Sequence, residues 1–390
     1  MQTYRRRIKE TIIRRHLEAF PCVALLGARQ VGKSTLARKI LADIEESIYL
    51  DLEDPRDYAK LRDPLAFLEA NNSHLICIDE VQRYPEIFQV FRTYLDQNNR
   101  PGQLLLLGSA SRDLIRQSSE SLAGRISYIE INPFVASEVD DLNRLWIQGG
   151  YPVSYQHESD ISFDWRINYI RTFLERDIPA LGIRIPAETL RRFWSMLAHM
   201  NGAVLNASKL ASSMGVSVPT IKNYIDILEG TFVIRQLRPF HTNTKKRLVK
   251  SPKLYFYDVG LASFLLGIEK LSHMETHPLR GNIFENLVLM EILKYRYNQG
   301  KRNNLNFYRD SNGNEVDIIY SIGQHVLPVE IKAGETVVSD FFKGIRAFDK
   351  VSQDLPYGKL VIYGGNHEET RGDIKIAQVT DIYGILDQIT

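Results

Sequence analysis

The chain has 390 residues, 44% of them apolar and 25% charged, with 49 Lys and Arg against 47 Asp and Glu for a net charge of +2. That composition describes an ordinary soluble globular protein of several domains with sizeable cores, and its near-neutral balance confines any nucleic-acid-binding surface to a local patch. No apolar run approaches the length that spans a bilayer, and the two cysteines, Cys22 and Cys77, sit beside or within apolar runs, which marks them as small core residues in a reducing cytoplasm rather than a disulfide or a metal site.

Near the start, Arg5, Arg6, Arg7, Lys9, Arg14 and Arg15 form a basic series that Glu10 and Glu18 interrupt. Ile8, Ile12, Ile13 and Leu17 recur at helical spacing, so the stretch predicts an amphipathic helix rather than a transit peptide or a nucleic-acid arm. An apolar run from Val23 to Leu26 then stops at Gly27, and the pattern G-x-x-x-x-G-K-S runs from Gly27 to Ser34 ahead of an amphipathic segment. This is strand, phosphate loop, helix. Gly27 and Gly32 let the backbone bend until its N–H groups point at a polyphosphate, so a triphosphate nests between Gly27 and Thr35, along Arg29, Gln30 and Val31. The helix N-terminus adds positive potential, Lys33 reaches the β- and γ-phosphates, and the Ser34 hydroxyl is placed to ligate Mg²⁺.

Residues 47–52 (SIYLDL) read as a second strand, with helical spacing resuming from Tyr58 to Ala70. The apolar run 75–78 ends in Asp79 and Glu80, which puts carboxylates at the C-terminal end of a buried parallel strand, where open α/β sheets hold their ligands. There Asp79 would hold Mg²⁺ through water and Glu80 would orient or deprotonate the attacking water; a solvated acidic turn is the plainer alternative. A helix through Phe88, Phe91 and Leu95 and a strand at 104–107 ending in Gly108-Ser109 continue the strand–helix alternation, which argues for a parallel sheet covered on both faces. Arg125 follows on a small-residue turn before the next strand. From there it would reach a neighbouring subunit's nucleotide, unless it is only a surface arginine.

From Trp146 the pattern is helical, broken by Gly149-Gly150-Tyr151-Pro152 and resuming over 163–177 and 187–200, a helical lid for the nucleotide site. Residues 206–230 read as helix, turn, helix, with Asn206 and Ser217 as caps and Gly215 in the turn. Short strands at 232–237 and 254–257 then fit a winged helix. Lys245, Lys246, Arg247, Lys250 and Lys253 lie between or beside these strands and would suit phosphate contacts, with Thr220, Lys222 and Asn223 facing a groove; a protein-binding spacer with solvated charges is the alternative.

Beyond Gly281 a long helix over 282–297 bears Glu285, and strands at 305–309, 315–321 and 326–333, a helix at 339–348 and a strand at 360–363 complete an αβββαβ order. Glu330 and Lys332 share one strand face. With Asp317 they form a set suited to metal-assisted phosphodiester cleavage: Asp317 and Glu330 binding Mg²⁺, Glu285 as a further ligand, and Lys332 stabilising phosphate charge or helping to ionise water. A binding module derived from a nuclease, or chance placement of charges on a sheet, would leave the same pattern.

The fold class is therefore α/β, with four segments: a P-loop ATPase domain over 1–145, the lid over 146–200, the winged helix over 201–257 and the nuclease-like domain over 258–390. With these residues in view the chain resembles a group of prokaryotic AAA-superfamily ATPases whose C-terminal half is a domain of unknown function with a restriction-endonuclease-like, PD-(D/E)xK core. The matching pieces are GARQVGKS (27–34), IDEVQRYP (78–85), GSASRDL (108–114), LAGR (122–125), GGYP (149–152), TFLERDI (172–178), YDVGL (257–261), GNIFENLVLMEI (281–292), and the EVD and VEIKAG strands. The resemblance implies ATP hydrolysis with Mg²⁺, a γ-phosphate-sensing role for Ser109, a cytoplasmic setting, homo-oligomers with a hexameric ring as the candidate assembly, and a nuclease-like domain. The resulting expectation is an ATP-driven DNA-processing enzyme acting on duplex or branched DNA. A nucleotide-controlled switch whose C-terminal domain binds without cutting is the rival, and a protein-remodelling ATPase ranks last.

Overall fold

The computed structural model describes residues 4–109, 120–180, 185–240, 249–352, 355–356 and 358–389. The chain forms two compact units, one made of Met1–Phe134 with Gly230–Phe232 and Tyr297–Gly300, the other of Val135–Glu229, Val233–Arg296 and Lys301–Thr390. The expected lid, winged-helix and nuclease-like segments thus fall largely within one unit.

The first unit is built on five strands, Cys22–Gly27 (β1), Ser47–Asp51 (β2), Leu75–Asp79 (β3), Leu104–Ser109 (β4) and Ile126–Glu130 (β5), in the order β2-β3-β4-β1-β5. All four pairings are parallel. Every residue of β1 and β3 is buried, as strands covered on both faces require, and the thiols of Cys22 and Cys77 are among them. The connections leaving β1 and β4 depart in opposite directions across the sheet. Their C-terminal ends therefore flank a crevice of the kind in which α/β sheets hold ligands.

Two expectations shift here. Ile8, assigned to the apolar face of the first helix, precedes the observed helix Lys9–Ala19 and is 40% exposed, while Ile12, Ile13 and Leu17 are buried. The helical stretch from Tyr58 to Ala70 is two helices, Pro55–Lys60 and Pro64–Ala70. Pro64 has no N–H with which to continue the first, and the Asp63 carboxylate caps the second by accepting from Ala66 N–H at 3.1 Å.

The second unit opens with helices Leu142–Gln148, Pro152–Gln156 and Ser159–Thr172, the last running into a π-helical turn at Phe173–Asp177 where the TFLERDI piece falls. Its packing explains two other motifs. The Asp258 carboxylate accepts from Gly150 N–H at 2.7 Å and from Leu261 N–H at 3.2 Å, pinning the GGYP turn to the start of helix Val259–Leu265. Gly149 beside it has φ +77°, and a Cβ there would collide with that carboxylate. The buried Arg166 guanidinium donates to the carbonyls of Ile147 and Gly260, and burial lowers its pKa to about 10.

Helices Ala207–Met214 and Val218–Gly230 follow, with Lys209 N–H donating to Asn206 Oδ1 at 2.9 Å and Thr220 N–H to Ser217 Oγ at 3.2 Å, as the cap chemistry predicts. Strands Ile234–Leu237 (β6) and Lys253–Phe256 (β7) pair antiparallel after them. Helix Arg280–Asn298 is buried through most of its middle. The remaining strands, Leu305–Arg309 (β8), Glu315–Ile322 (β9), His325–Lys332 (β10), Leu360–Tyr363 (β11), Glu369–Arg371 (β12) and Ile374–Ala377 (β13), form a sheet ordered β12-β13-β11-β10-β9-β8. The hairpin of β12 and β13 and the closing helix Ile382–Ile389 extend the predicted αβββαβ order.

Candidate functional site

In the first unit, the residues predicted around a triphosphate gather at the C-terminal edge of the parallel sheet. Gly27 ends β1, and a Cβ on it would run into the Ile131 carbonyl, so this position admits only glycine without displacing the backbone. Gln30 and Gly32 both take positive φ, +59° and +94°, and Gly32 caps helix Lys33–Leu41. The chain thereby turns back on itself between Ala28 and Val31, directly ahead of a helix start, whose first N–H groups have no partner within the helix. Val31 is fully buried and anchors the loop, whereas Arg29 and Ser34 are half-buried and Gln30 and Thr35 exposed. Arg29 lies 3.7 Å from Glu53.

Lys33 is only 6% exposed, and its ammonium donates to the carbonyls of Gly27 and Ala28, each at 3.0 Å. Burial lowers its pKa to about 8, against the opposing pull of Glu80 and Asp79. The group is thus held inside its own loop, charged but poorly compensated, until an anion arrives. Asp79 ends β3 and is 3% exposed; its Oδ2 accepts from the Tyr49 hydroxyl at 2.5 Å and its Oδ1 from Glu80 N–H at 2.9 Å. Tyr49, on β2, was not singled out in the sequence, although its alternation on a strand beside the acidic one is the signal that would have found it. Glu80 takes a left-handed backbone, φ +53°, which turns its side chain out of the strand. Burial raises its pKa, opposed by Lys33, and Gln82 donates to its carboxylate.

This set fits a magnesium nucleoside triphosphate. The Gly27–Gly32 turn and the helix start would receive the phosphates, Lys33 would exchange its two carbonyl partners for phosphate oxygens, and Ser34 and Asp79 would hold the metal, which supplies charge neutralisation at the phosphoryl group. Glu80, with its raised pKa, is suited to take a proton from water. The Ser109 backbone lies in register beside Gly27, at the right edge of the sheet; its side chain, and residues 110–114 of the GSASRDL piece, lie outside the described residues.

Arg125 is not part of this edge. It precedes β5 at the opposite, N-terminal end of the strands, where its carbonyl accepts from Cys22 N–H, and five residues of strand place it roughly 15 Å from the phosphate loop's edge. Its Nε donates to Asp96 at 2.6 Å.

In the second unit, Asp317, Glu330 and Lys332 do converge. The Lys332 ammonium is 2.6 Å from Glu330 Oε2 and 3.7 Å from Asp317 Oδ2, and Asp317 Oδ2 also accepts from Ile331 N–H at 2.8 Å. Burial, with Asp317 adding to it, raises the Glu330 pKa well above the carboxylate range. Glu285 is brought near but not as a free ligand: it accepts from Lys253 at 2.8 Å and from the Tyr255 hydroxyl, and burial raises its pKa to about 7. Lys253 itself corrects an expectation. Expected in a basic run suited to phosphate contact, it is instead 2% exposed at the start of β7, with Glu285, Glu315 and Asp317 about its ammonium. Lys250 is exposed, and Lys245, Lys246 and Arg247 lie outside the described residues. Glu315, two residues from Asp317 and on the same strand face, is the cluster member that sequence reading missed. Among the described residues no group of three or more His, Cys, Asp or Glu side chains is arranged to hold a metal ion, so the Glu285, Asp317 and Glu330 ligand set does not fit one as it stands. Among the same residues no helix is long and apolar enough to cross a membrane.

Three family models match the chain: an AAA domain over residues 19–139, a domain of unknown function, DUF8612, over 139–272, and a domain of unknown function, DUF4143, over 280–382. The proteins called Uncharacterized protein Rv2008c of Mycobacterium tuberculosis and Uncharacterized protein Mb2031c of Mycobacterium bovis are each 38% identical to it over 373 residues, covering 95% of this chain and 82% of theirs. Among solved structures, the Walker-type ATPase PABY2304 of Pyrococcus abyssi aligns over 66% of this chain and 94% of its own, with 15% identity and a TM-score of 0.42. The chain belongs to the same family as the two mycobacterial proteins, and its residues 19–139 are an AAA-type P-loop ATPase domain.

Proposed function

We propose that this protein is a magnesium-dependent ATPase that works as a homo-oligomer on DNA, with hydrolysis in the first unit controlling nucleic-acid contact made by the second. The observation that carries the ATPase half is the convergence of Lys33, Asp79 and Glu80 on one edge of a parallel sheet, beside a loop with no room for a side chain at Gly27. The DNA half is supported by the capped helix pair 207–214 and 218–230 followed by the β6–β7 ribbon, with Lys222 and Asn223 exposed on the second helix and Thr220 half-buried beside them. A ring would give Arg125 a neighbour's nucleotide to complete, since its position at the far edge of its own sheet keeps it from its own.

For the C-terminal domain, two readings divide the function. One is a metal-dependent endonuclease using Asp317, Glu330 and Lys332; the other is a binding module of nuclease ancestry that does not cut. The Lys253 ammonium set among Glu285, Glu315 and Asp317 favours the second.

The test is the ATPase rate with and without single-stranded, duplex and branched DNA, for wild type, Lys33→Ala and Lys332→Ala. Wild type turns over ATP and is stimulated by one class of DNA, Lys33→Ala is inactive, and Lys332→Ala hydrolyses like wild type. Absence of turnover with magnesium and every DNA refutes the reading, and metal-dependent cutting that Lys332→Ala removes restores the nuclease.

A further inference from the structure

Three carboxylates of the C-terminal cluster sit on two elements, Glu285 on helix Arg280–Asn298 and Glu315 and Asp317 on β9, while the cation that gathers them comes from a third. The Lys253 Nζ, carried by β7, is 2.8 Å from Glu285 Oε1, 2.5 Å from Glu315 Oε1 and 3.9 Å from Asp317 Oδ1. Its own strand keeps it there: β7 is buried along its whole length and paired with β6, and the Tyr255 hydroxyl, two residues on, donates to the same Glu285 oxygen. Arg309 supports the outer oxygen of Glu315 at 3.1 Å. Lys332 cannot serve in its stead, because it is engaged with Glu330 and the other Asp317 oxygen.

A divalent ion needs several oxygens at about 2.0–2.6 Å around one point. The Lys253 ammonium, in direct contact with Glu285 and Glu315 and 3.9 Å from Asp317, fills the space between them, and a second cation placed beside it would be repelled in a poorly solvated environment. We propose that the Lys253 ammonium is the resident cation of this site, supplying between Glu285, Glu315 and Asp317 the positive charge that a divalent metal would otherwise have to supply. The native chain then takes up no Mg²⁺ or Mn²⁺ there, and removing the ammonium creates a divalent-ion site. The ion and the lysine exclude one another, so a metal enters the native chain only if β7 is drawn away from β9. This inference concerns the second unit alone and stands whether or not DNA is the partner of the first.

The test is Mn²⁺ binding by electron paramagnetic resonance and calorimetry on the full chain without nucleotide. Wild type shows no bound Mn²⁺ that Asp317→Asn removes. Lys253→Met binds one Mn²⁺ per chain, loses it again in Lys253→Met with Asp317→Asn, and shows a thermal midpoint that Mn²⁺ raises while the wild-type midpoint stays fixed. Wild type that binds one Mn²⁺ through Asp317, or folded Lys253→Met that binds none, overturns the proposal. Should Lys253→Met not fold, Lys253→Gln takes its place, and the wild-type measurement decides by itself.

Discussion

The depressed pKa of Lys33 makes nucleotide binding proton-linked. In the free protein its ammonium has two carbonyl partners and a pKa of about 8, because burial penalises the charge more than Asp79 and Glu80 compensate. Phosphate oxygens favour the charged form, so the complex keeps a proton that the free protein loses as pH rises. Binding therefore takes up a proton and weakens with increasing pH. With a free pKa of about 8, the neutral fraction is about 0.1 at pH 7, about 0.5 at pH 8 and about 0.9 at pH 9, and these are the protons absorbed per nucleotide. Affinity falls about tenfold from pH 7 to pH 9, or about 1.4 kcal/mol. Titration calorimetry with the β,γ-imido analogue of ATP and magnesium, run in buffers of different ionisation heat, reads the proton count directly. Lys33→Met binds more weakly at pH 7 and shows no uptake, whereas Glu80→Gln keeps it. Wild-type binding without uptake between pH 8 and 9, or equal uptake by Lys33→Met, refutes the reasoning.

Three further outcomes follow from the same geometry. Glu80→Gln retains nucleotide affinity but loses about 10²–10⁴-fold in turnover, read in a phosphate-release assay, because the amide has no basic site for a water proton. Arg125→Ala binds ATP normally and hydrolyses about 10³-fold more slowly; mixing it with Lys33→Ala restores part of the rate, since hybrid interfaces pair an intact Lys33 with an intact Arg125, and a mixture no faster than its parts refutes action across subunits. Gly149→Ala must leave a φ of +77° and push aside the buried Asp258 carboxylate with its two N–H partners, costing about 3–5 kcal/mol. Trp146, Trp165 and Trp194 all lie in the second unit, so the urea midpoint of tryptophan fluorescence falls while nucleotide affinity holds; an unchanged midpoint counts against the assigned packing.

What could be read from the sequence was whatever neighbouring residues decide. The phosphate loop is legible because bending, helix start and lysine reach are all set within eight residues, and the caps at Asn206 and Ser217 because each acts on an N–H three positions away. The acidic end of β3 is legible by the same logic, since an apolar run that stops at two carboxylates has one sensible place in a parallel sheet. Legibility fails where a side chain's role depends on a partner far along the chain. Lys253 reads as one more member of a basic run, yet its carboxylates are at 285, 315 and 317. A sign was nevertheless present: it opens an apolar run, Leu254–Tyr257 in the sequence, and a lysine at the head of a buried strand must find anions or lose its charge. The same argument inverts the meaning of the Glu285 and Asp317 pattern. Carboxylates with metal-ligand character imply a metal only while no protein cation satisfies them, and here the chain carries that cation on a strand of its own.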